Sequence, residues 1–179
     1  MTDFEKPDLW QELKLCLGLL TRVPVRVDTP VPTSMVARAS RWFPLVGGLI
    51  GVVSAGVLGF GVLLGLPDLA TALIAIGAIV LLTGAIHEDG LADVADGFGG
   101  GFNRFARLEI MRDSRVGAYG VIALVLSIGL KAALLAALIG AGIQIAAVAV
   151  IVAAMASRLT PVLLMRYLAR ARRDGMAVA

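Results

Sequence analysis

Residues 69–97 read LATALIAIGAIVLLTGAIHEDGLADVADG. An apolar run from Leu69 to Ile86 gives way at once to His87-Glu88-Asp89-Gly90-Leu91-Ala92-Asp93-Val94-Ala95-Asp96-Gly97. The run is long enough to cross ~30 Å of hydrocarbon as a helix. Beyond it, three aspartates recur at spacings of four and three. At 3.6 residues per turn, Asp89, Asp93 and Asp96 fall within about 60° of one another. Like charges on one helical face repel, so stability does not explain the pattern. Hard oxygen ligands gathered around a divalent cation do. A solvated acidic helix end with Asp89 as N-cap is the plainer alternative, and it leaves the shared face unexplained. The stretch thus reads as a membrane helix running into a surface helix that carries a candidate metal site.

The rest of the chain agrees with a membrane setting. It has 179 residues, 59% of them hydrophobic, above the 45–50% usual for soluble domains. The mean hydropathy is +0.91. Four stretches read as spans: 42–66, 69–86, 118–139 and 142–164. Short turns at Pro67-Asp68 and Gly140-Ala141-Gly142 make two helical hairpins. Arginines precede the first span (Arg22, Arg26, Arg38, Arg41), lie between the second and third (Arg104, Arg107, Arg112, Arg115), and follow or end the fourth (Arg158, Arg166, Arg170, Arg172, Arg173). The hairpin turns hold none. The positive-inside rule then places the N-terminus, the 87–117 segment and the C-terminus in the cytoplasm. The expected fold is all-α: a single polytopic membrane bundle over 1–179 with about four transmembrane helices. No basic n-region precedes the first apolar stretch, where Asp3, Glu5 and Asp8 stand instead, so the start does not read as a signal peptide. The single cysteine, Cys16, excludes an internal disulfide and reads as a buried apolar residue.

Residues 8–23 carry Leu9, Trp10, Leu13, Leu17 and Leu20 at helical spacing. They predict an amphipathic helix at the cytoplasmic interface, or one packed on the bundle. Pro24, Pro30 and Pro32 make 24–33 an extended linker. In the first span Gly47, Gly51, Ala55 and Gly59 recur every four residues, a stripe for close helix approach.

Charge concentrates in the cytoplasmic segment 87–117. Six of the thirteen acidic residues lie between Glu88 and Asp113, and four arginines lie between 104 and 115. Gly97 is expected to stop the aspartate helix. Gly97, Gly99 and Gly100 would then expose backbone N–H groups to phosphate, unless they form a plain flexible loop. Asn103 caps a second short helix from Arg104 to about Ser114. On it Glu109, Arg112 and Asp113 share a face, as a surface ion pair or as a mixed phosphate and metal site. The lone histidine, His87, reads as an interfacial hydrogen-bonding residue. Lys131, inside the third span, reads as snorkelling outward, with the bundle interior as the alternative.

HEDGLADVADGFGGG followed by RLEIMRDSRVGAYG resembles the cobalamin synthase (adenosylcobinamide-GDP ribazoletransferase) family. Arg41-Trp42-Phe43-Pro44-Leu45-Val46-Gly47 and Leu20-Thr21-Arg22-Val23-Pro24-Val25 are similar to two further family motifs. The resemblance runs from about residue 8 to 175. It implies an integral enzyme of the cytoplasmic (inner) membrane that joins adenosylcobinamide-GDP to α-ribazole or its 5′-phosphate, releases GMP and requires Mg²⁺. Implied metal ligands are Asp89, Asp93 and Asp96, with a ribazole 5′-oxygen as nucleophile. Asp113 is the candidate base if that oxygen is a hydroxyl. Glu109, Arg112 and Ser114 of the second motif, with Gly97, Gly99 and Gly100, are the implied substrate-binding residues. No nucleic-acid partner is implied. Family members are usually longer, with further C-terminal helices, so a fragment or shortened relative is expected, and an uncovered bundle face would favour a homo-oligomer.

Two other readings share some of these features. A CDP-alcohol phosphotransferase also sets aspartates on membrane helices, but its pattern has an Arg where Asp93 stands. A cation transporter would place acids inside the spans, whereas these lie at their edge.

Overall fold

The computed structural model describes residues 8–27, 31 and 33–168. Asp3, Glu5, Pro30, Pro32, Arg170, Arg172 and Arg173 lie outside the described residues. Everything regular among the described residues is helical: α1 (Leu9–Leu20), α2 (Thr33–Ala39), α3 (Phe43–Leu63), α4 (Asp68–Thr83), α5 (Ile86–Gly100), α6 (Arg104–Ile110), α7 (Ala118–Ala141) and α8 (Ile143–Tyr167). A 3₁₀ turn, Ser40–Trp42, joins α2 to α3. The all-helical membrane bundle expected from the apolar runs is what forms. Residues 24–27 and 31 are non-helical, as the linker reading expects, 28–30 and 32 lie outside the described residues, and α2 begins at Thr33 where the linker was expected to end.

Three helical stretches are long and apolar enough to cross a membrane: Met35–Leu63, Ala118–Ala141 and Ile143–Tyr167. The expected second span differs. Helix α4 stops at Thr83, and its 16 residues reach only about 24 Å at 1.5 Å per residue. Gly84 and Ala85 then both adopt left-handed backbone, φ 70° and 60°. They turn the chain through 92° into α5, so α4 is long and apolar enough for a span only when counted with the bent-away α5. Gly84 takes this conformation without steric cost, whereas Ala85 is strained there.

Helices α3, α4, α7 and α8 close a ring in which α3 packs on α8 and α4, and α7 on α4 and α8. Leu58, Ala72, Ala75, Leu135, Ile139 and Ala146 form its centre. Outward-facing Leu49, Val52, Phe60, Leu81, Leu126 and Val148 are exposed, as suits contact with lipid. The stripe on α3 is half used. Gly47 and Gly51 lie against the α8 backbone, while a Cβ added at Gly59 would meet no other part of the molecule within 4 Å. Helix α5 packs on α7, and α6 on α5.

Helix α1 begins at Asp8, whose carboxylate accepts from the Trp10 and Gln11 N–H groups. Its Cys16 and Leu20 bury against Val46 and Ile50 of α3, while Leu9 and Trp10 stay exposed. It therefore packs on the bundle and keeps an apolar edge free. What sequence reading missed is Glu12, whose side chain is 1% exposed between Arg38 and Arg41. Burial raises its pKa, but the two guanidiniums outweigh this and hold the carboxyl below its usual 4.5. The cover is thin, because both arginine side chains remain about half exposed. Glu12→Gln is therefore expected to cost only about 1–2 kcal/mol at neutral pH. A depressed carboxyl stabilises above its unfolded pKa and loses that contribution as pH falls through the folded one. Thermal melts of wild type and Glu12→Gln in detergent should differ at pH 7, and the difference should shrink as pH falls below 4.5.

Candidate active site

Helix α5 carries the three aspartates on one face, and its neighbours treat them differently. Asp89 is exposed and Asp93 half-buried, one turn apart. Asp96 is 9% exposed. It accepts the Gly117 N–H at 2.7 Å and the Gly120 N–H at 2.9 Å. Helix α7 has no cap of its own at Gly117, so a carboxylate from another helix satisfies its orphan donors and opposes its positive end. An added Cβ would lie 2.4 Å from an Asp96 oxygen at each site, so a larger residue at either would push the carboxylate off these N–H groups. Both Asp96 oxygens are thus already engaged. Among the described residues, no three His, Cys, Asp or Glu side chains converge to hold a metal ion. Asp89 and Asp93 remain as two oxygen donors of the type a hard cation takes, one turn apart, and Asp96 as placed does not join them.

The glycine segment corrects the expectation. Gly97 does not stop the helix; α5 continues to Gly100. The N–H groups of Gly97, Gly99 and Gly100 therefore belong to the helical ladder and are not presented to phosphate. These glycines serve close packing instead. An added Cβ would stand 2.7 Å from the Met111 side chain at Gly97 and 2.4 Å from the Tyr119 ring at Gly99. Arg107 ties α6 down, with Nε 3.0 Å from the Gly101 carbonyl and its guanidinium 4.7 Å from the Phe98 ring centre.

Asn103 caps α6 through the Ala106 N–H at 2.9 Å, as expected. The helix ends at Ile110 rather than near Ser114. Glu109, Arg112 and Asp113 line one surface hollow of about 460 Å³ with Ala106 and Ile110, and Ser114 is exposed just beyond it. No aspartate of α5 lines that hollow. Asp113 binds the Arg115 side chain through both oxygens, the closest contact being 2.7 Å. Those hydrogen bonds hold its carboxyl below the usual range, which weakens it as a base.

A third group escaped sequence reading. A cavity of about 370 Å³ opens between α4, α7 and α8 at the first turn of α5, and His87, Glu88, Lys131, Ser157 and Arg158 line it. Lys131 Nζ stands 3.8 Å from a Glu88 oxygen with its side chain about half exposed, so it leans over the mouth of this cavity rather than snorkelling away. The hint in the sequence was two cations, Lys131 and Arg158, within otherwise apolar helices.

The T-R-V-P motif meets the same region. The Arg22 N–H donates to the Leu82 carbonyl at 2.8 Å, and its side chain lies over Gly84 at the α4–α5 bend. Motifs distant in sequence thus converge on one end of the bundle. A family model described as cobalamin-5-phosphate synthase matches residues 12–179.

The chain belongs to the cobalamin-5-phosphate synthase family.

Three curated relatives are each named adenosylcobinamide-GDP ribazoletransferase. The one from Azorhizobium caulinodans is 53% identical over 91% of this chain and 63% of its own length. The one from Ralstonia pickettii is 43% identical over 94% and 65%. The one from Bradyrhizobium diazoefficiens is 41% identical over 94% and 64%. The chain therefore spans a little under two thirds of these cobalamin-5-phosphate synthase relatives. No solved structure matches it.

Proposed function

We propose that the chain is a membrane-bound transferase that moves the cobinamide phosphoryl group of adenosylcobinamide-GDP to α-ribazole 5′-phosphate, or to α-ribazole, releasing GMP. The observation that carries this is the α5 carboxylate face beside a convergence of family motifs, in a chain whose relatives bear that activity in their names. We place α5, α6 and both termini on the cytoplasmic side of the inner membrane, on the arginine distribution.

In this reading Asp89 and Asp93 hold Mg²⁺, which when bound offsets charge on the pyrophosphate. Asp96 acts as a positioning residue that fixes α5 against α7. Arg112, with Glu109 and Ser114 at the α6 hollow, orients the nucleotide phosphates. A product that is a cobalamin 5-phosphate keeps that phosphate, so the attacking oxygen is a ribose hydroxyl rather than the 5′-oxygen. The O–P bond forms at the cobinamide-side phosphorus, the bond to GMP breaks, and the hydroxyl proton passes to a base. Asp113 fills that role only after releasing Arg115.

The test is GMP release by the detergent-purified chain given adenosylcobinamide-GDP, α-ribazole 5′-phosphate and Mg²⁺. Release that depends on both substrates is expected. CMP release from a CDP-alcohol, with no GMP release, would move the assignment to lipid synthesis.

A further inference from the structure

We propose that the cavity between α4, α7 and α8 is the acceptor site. It takes the apolar base of an aromatic nucleoside monophosphate, with Arg158 and Lys131 on the phosphate and Glu88 on a ribose hydroxyl. The proposal rests on the transferase reading above, in which the acceptor is a ribazole, a nucleoside whose dimethylbenzimidazole base is flat and apolar.

The size, about 370 Å³, lies within the ~300–1,000 Å³ of small-molecule sites, which combine apolar walls with a few placed polar groups. The walls here are Ile79 of α4, Leu134 of α7, Val150 and Ala153 of α8 and their neighbours. The polar groups gather where α5 begins. Lys131 and Arg158 line it together with the one carboxylate of Glu88, which leaves a positive excess beside apolar walls.

Three buried atoms there lack any hydrogen-bond partner: Nδ1 of His87, Oε2 of Glu88 and Nε of Arg158. Arg158 is only 7% exposed, and Nη1 reaches no further than Ser157 Oγ at 2.8 Å. Buried polar groups are normally satisfied, so orphans converging on one cavity point to a ligand that supplies the missing partners. An anionic oxygen satisfies Arg158, and a hydroxyl donor satisfies Glu88. Pro161 adds to this, because it withholds the helical N–H that the Ser157 carbonyl would otherwise accept. An acyl chain would fill the walls but leave every one of these atoms unpaired. Glu88 and Asp89 are consecutive on the first turn of α5, so the acceptor lies on a face adjoining the carboxylates that bind the other substrate.

The test is equilibrium binding of α-ribazole and its 5′-phosphate to the full chain in detergent, followed by benzimidazole fluorescence. Adenosylcobinamide-GDP binding and thermal melting serve as controls. Wild type should bind both acceptors. Ala153→Phe, at an exposed wall position, should weaken both at least about tenfold with melting unchanged. Lys131→Met should weaken the phosphate form about tenfold and the free nucleoside far less. Neither should alter adenosylcobinamide-GDP binding. No acceptor binding by wild type, or unchanged binding in either variant, overturns the proposal. GMP release that survives Ala153→Phe at low acceptor overturns the site while leaving the transferase reading intact. Cavity-dependent acceptor binding without GMP release supports the site and overturns that reading.

Discussion

Asp93→Ala is expected to lower GMP release by about 10²–10³-fold or more, the several kcal/mol that a bound metal supplies to a developing charge. Its melting temperature should move little, because Asp93 is half-buried on α5 and removing its contacts costs about 1 kcal/mol. Asp96→Ala should behave differently. It removes two short bonds, at 2.7 and 2.9 Å, from a carboxylate that caps α7. Charge-assisted caps of this kind contribute about 2–4 kcal/mol together. That loss should appear as a fall in melting temperature of roughly 5–15 °C, with activity falling alongside.

The asparagine variants separate the two roles further. Asp96→Asn keeps one acceptor oxygen but points an amide donor at an N–H donor, so about half of the stabilisation should be lost. Asp93→Asn keeps the shape, and stability should stay near wild type while turnover still collapses. Thermal melts and GMP release on the four proteins decide the matter. Equal stability of Asp96→Ala and wild type would sink the cap assignment. Near-normal turnover in Asp93→Ala would sink the cation assignment.

The contrast between Asp93 and Asp96 also marks how far the sequence could be read. Helical spacing places Asp89, Asp93 and Asp96 on one face, and that is correct for α5. Spacing says nothing about which neighbour draws each carboxylate. Asp96 meets the N-terminus of α7 twenty-one residues later at Gly117, a contact set by packing. The same limit explains the glycines. Gly97 reads as a helix stop and Gly99 as exposed backbone, but Met111 and Tyr119 pack where their side chains would otherwise stand. Tertiary contact thus overrides weak local propensity. Apolar runs gave the other membrane helices within a few residues, because burial in lipid is a property of the run itself. They overextended α4, whose end depends on two left-handed residues that hydropathy does not register. Lys131 shows the gap most plainly. Hydropathy reports depth and not direction, so only the fold shows that it turns toward Glu88.

The second large effect is expected at the α3–α8 seam. A Cβ added at Gly51 would stand 2.6 Å from the Ile151 Cα, and one at Gly47 would stand 2.6 Å from the Ala154 carbonyl oxygen. Both obstacles are backbone, so no rotamer change relieves them, and the two helices must separate. Overpacking a close seam typically costs about 1–3 kcal/mol and more when the backbone itself must shift. Gly51→Leu should therefore lower the melting temperature by roughly 10 °C or more, or prevent recovery of folded protein. Gly59→Leu, with nothing within 4 Å, should be close to neutral although it occupies the same stripe. The milder Gly47→Ala links the seam to the site, since its Cβ would also lie 3.2 Å from the Arg158 Cβ. Pushing α8 away there carries Arg158 with it, so acceptor binding should weaken more than melting declines. If Gly59→Leu proves as damaging as Gly51→Leu, the whole stripe is a contact surface, and the seam does not end midway along α3.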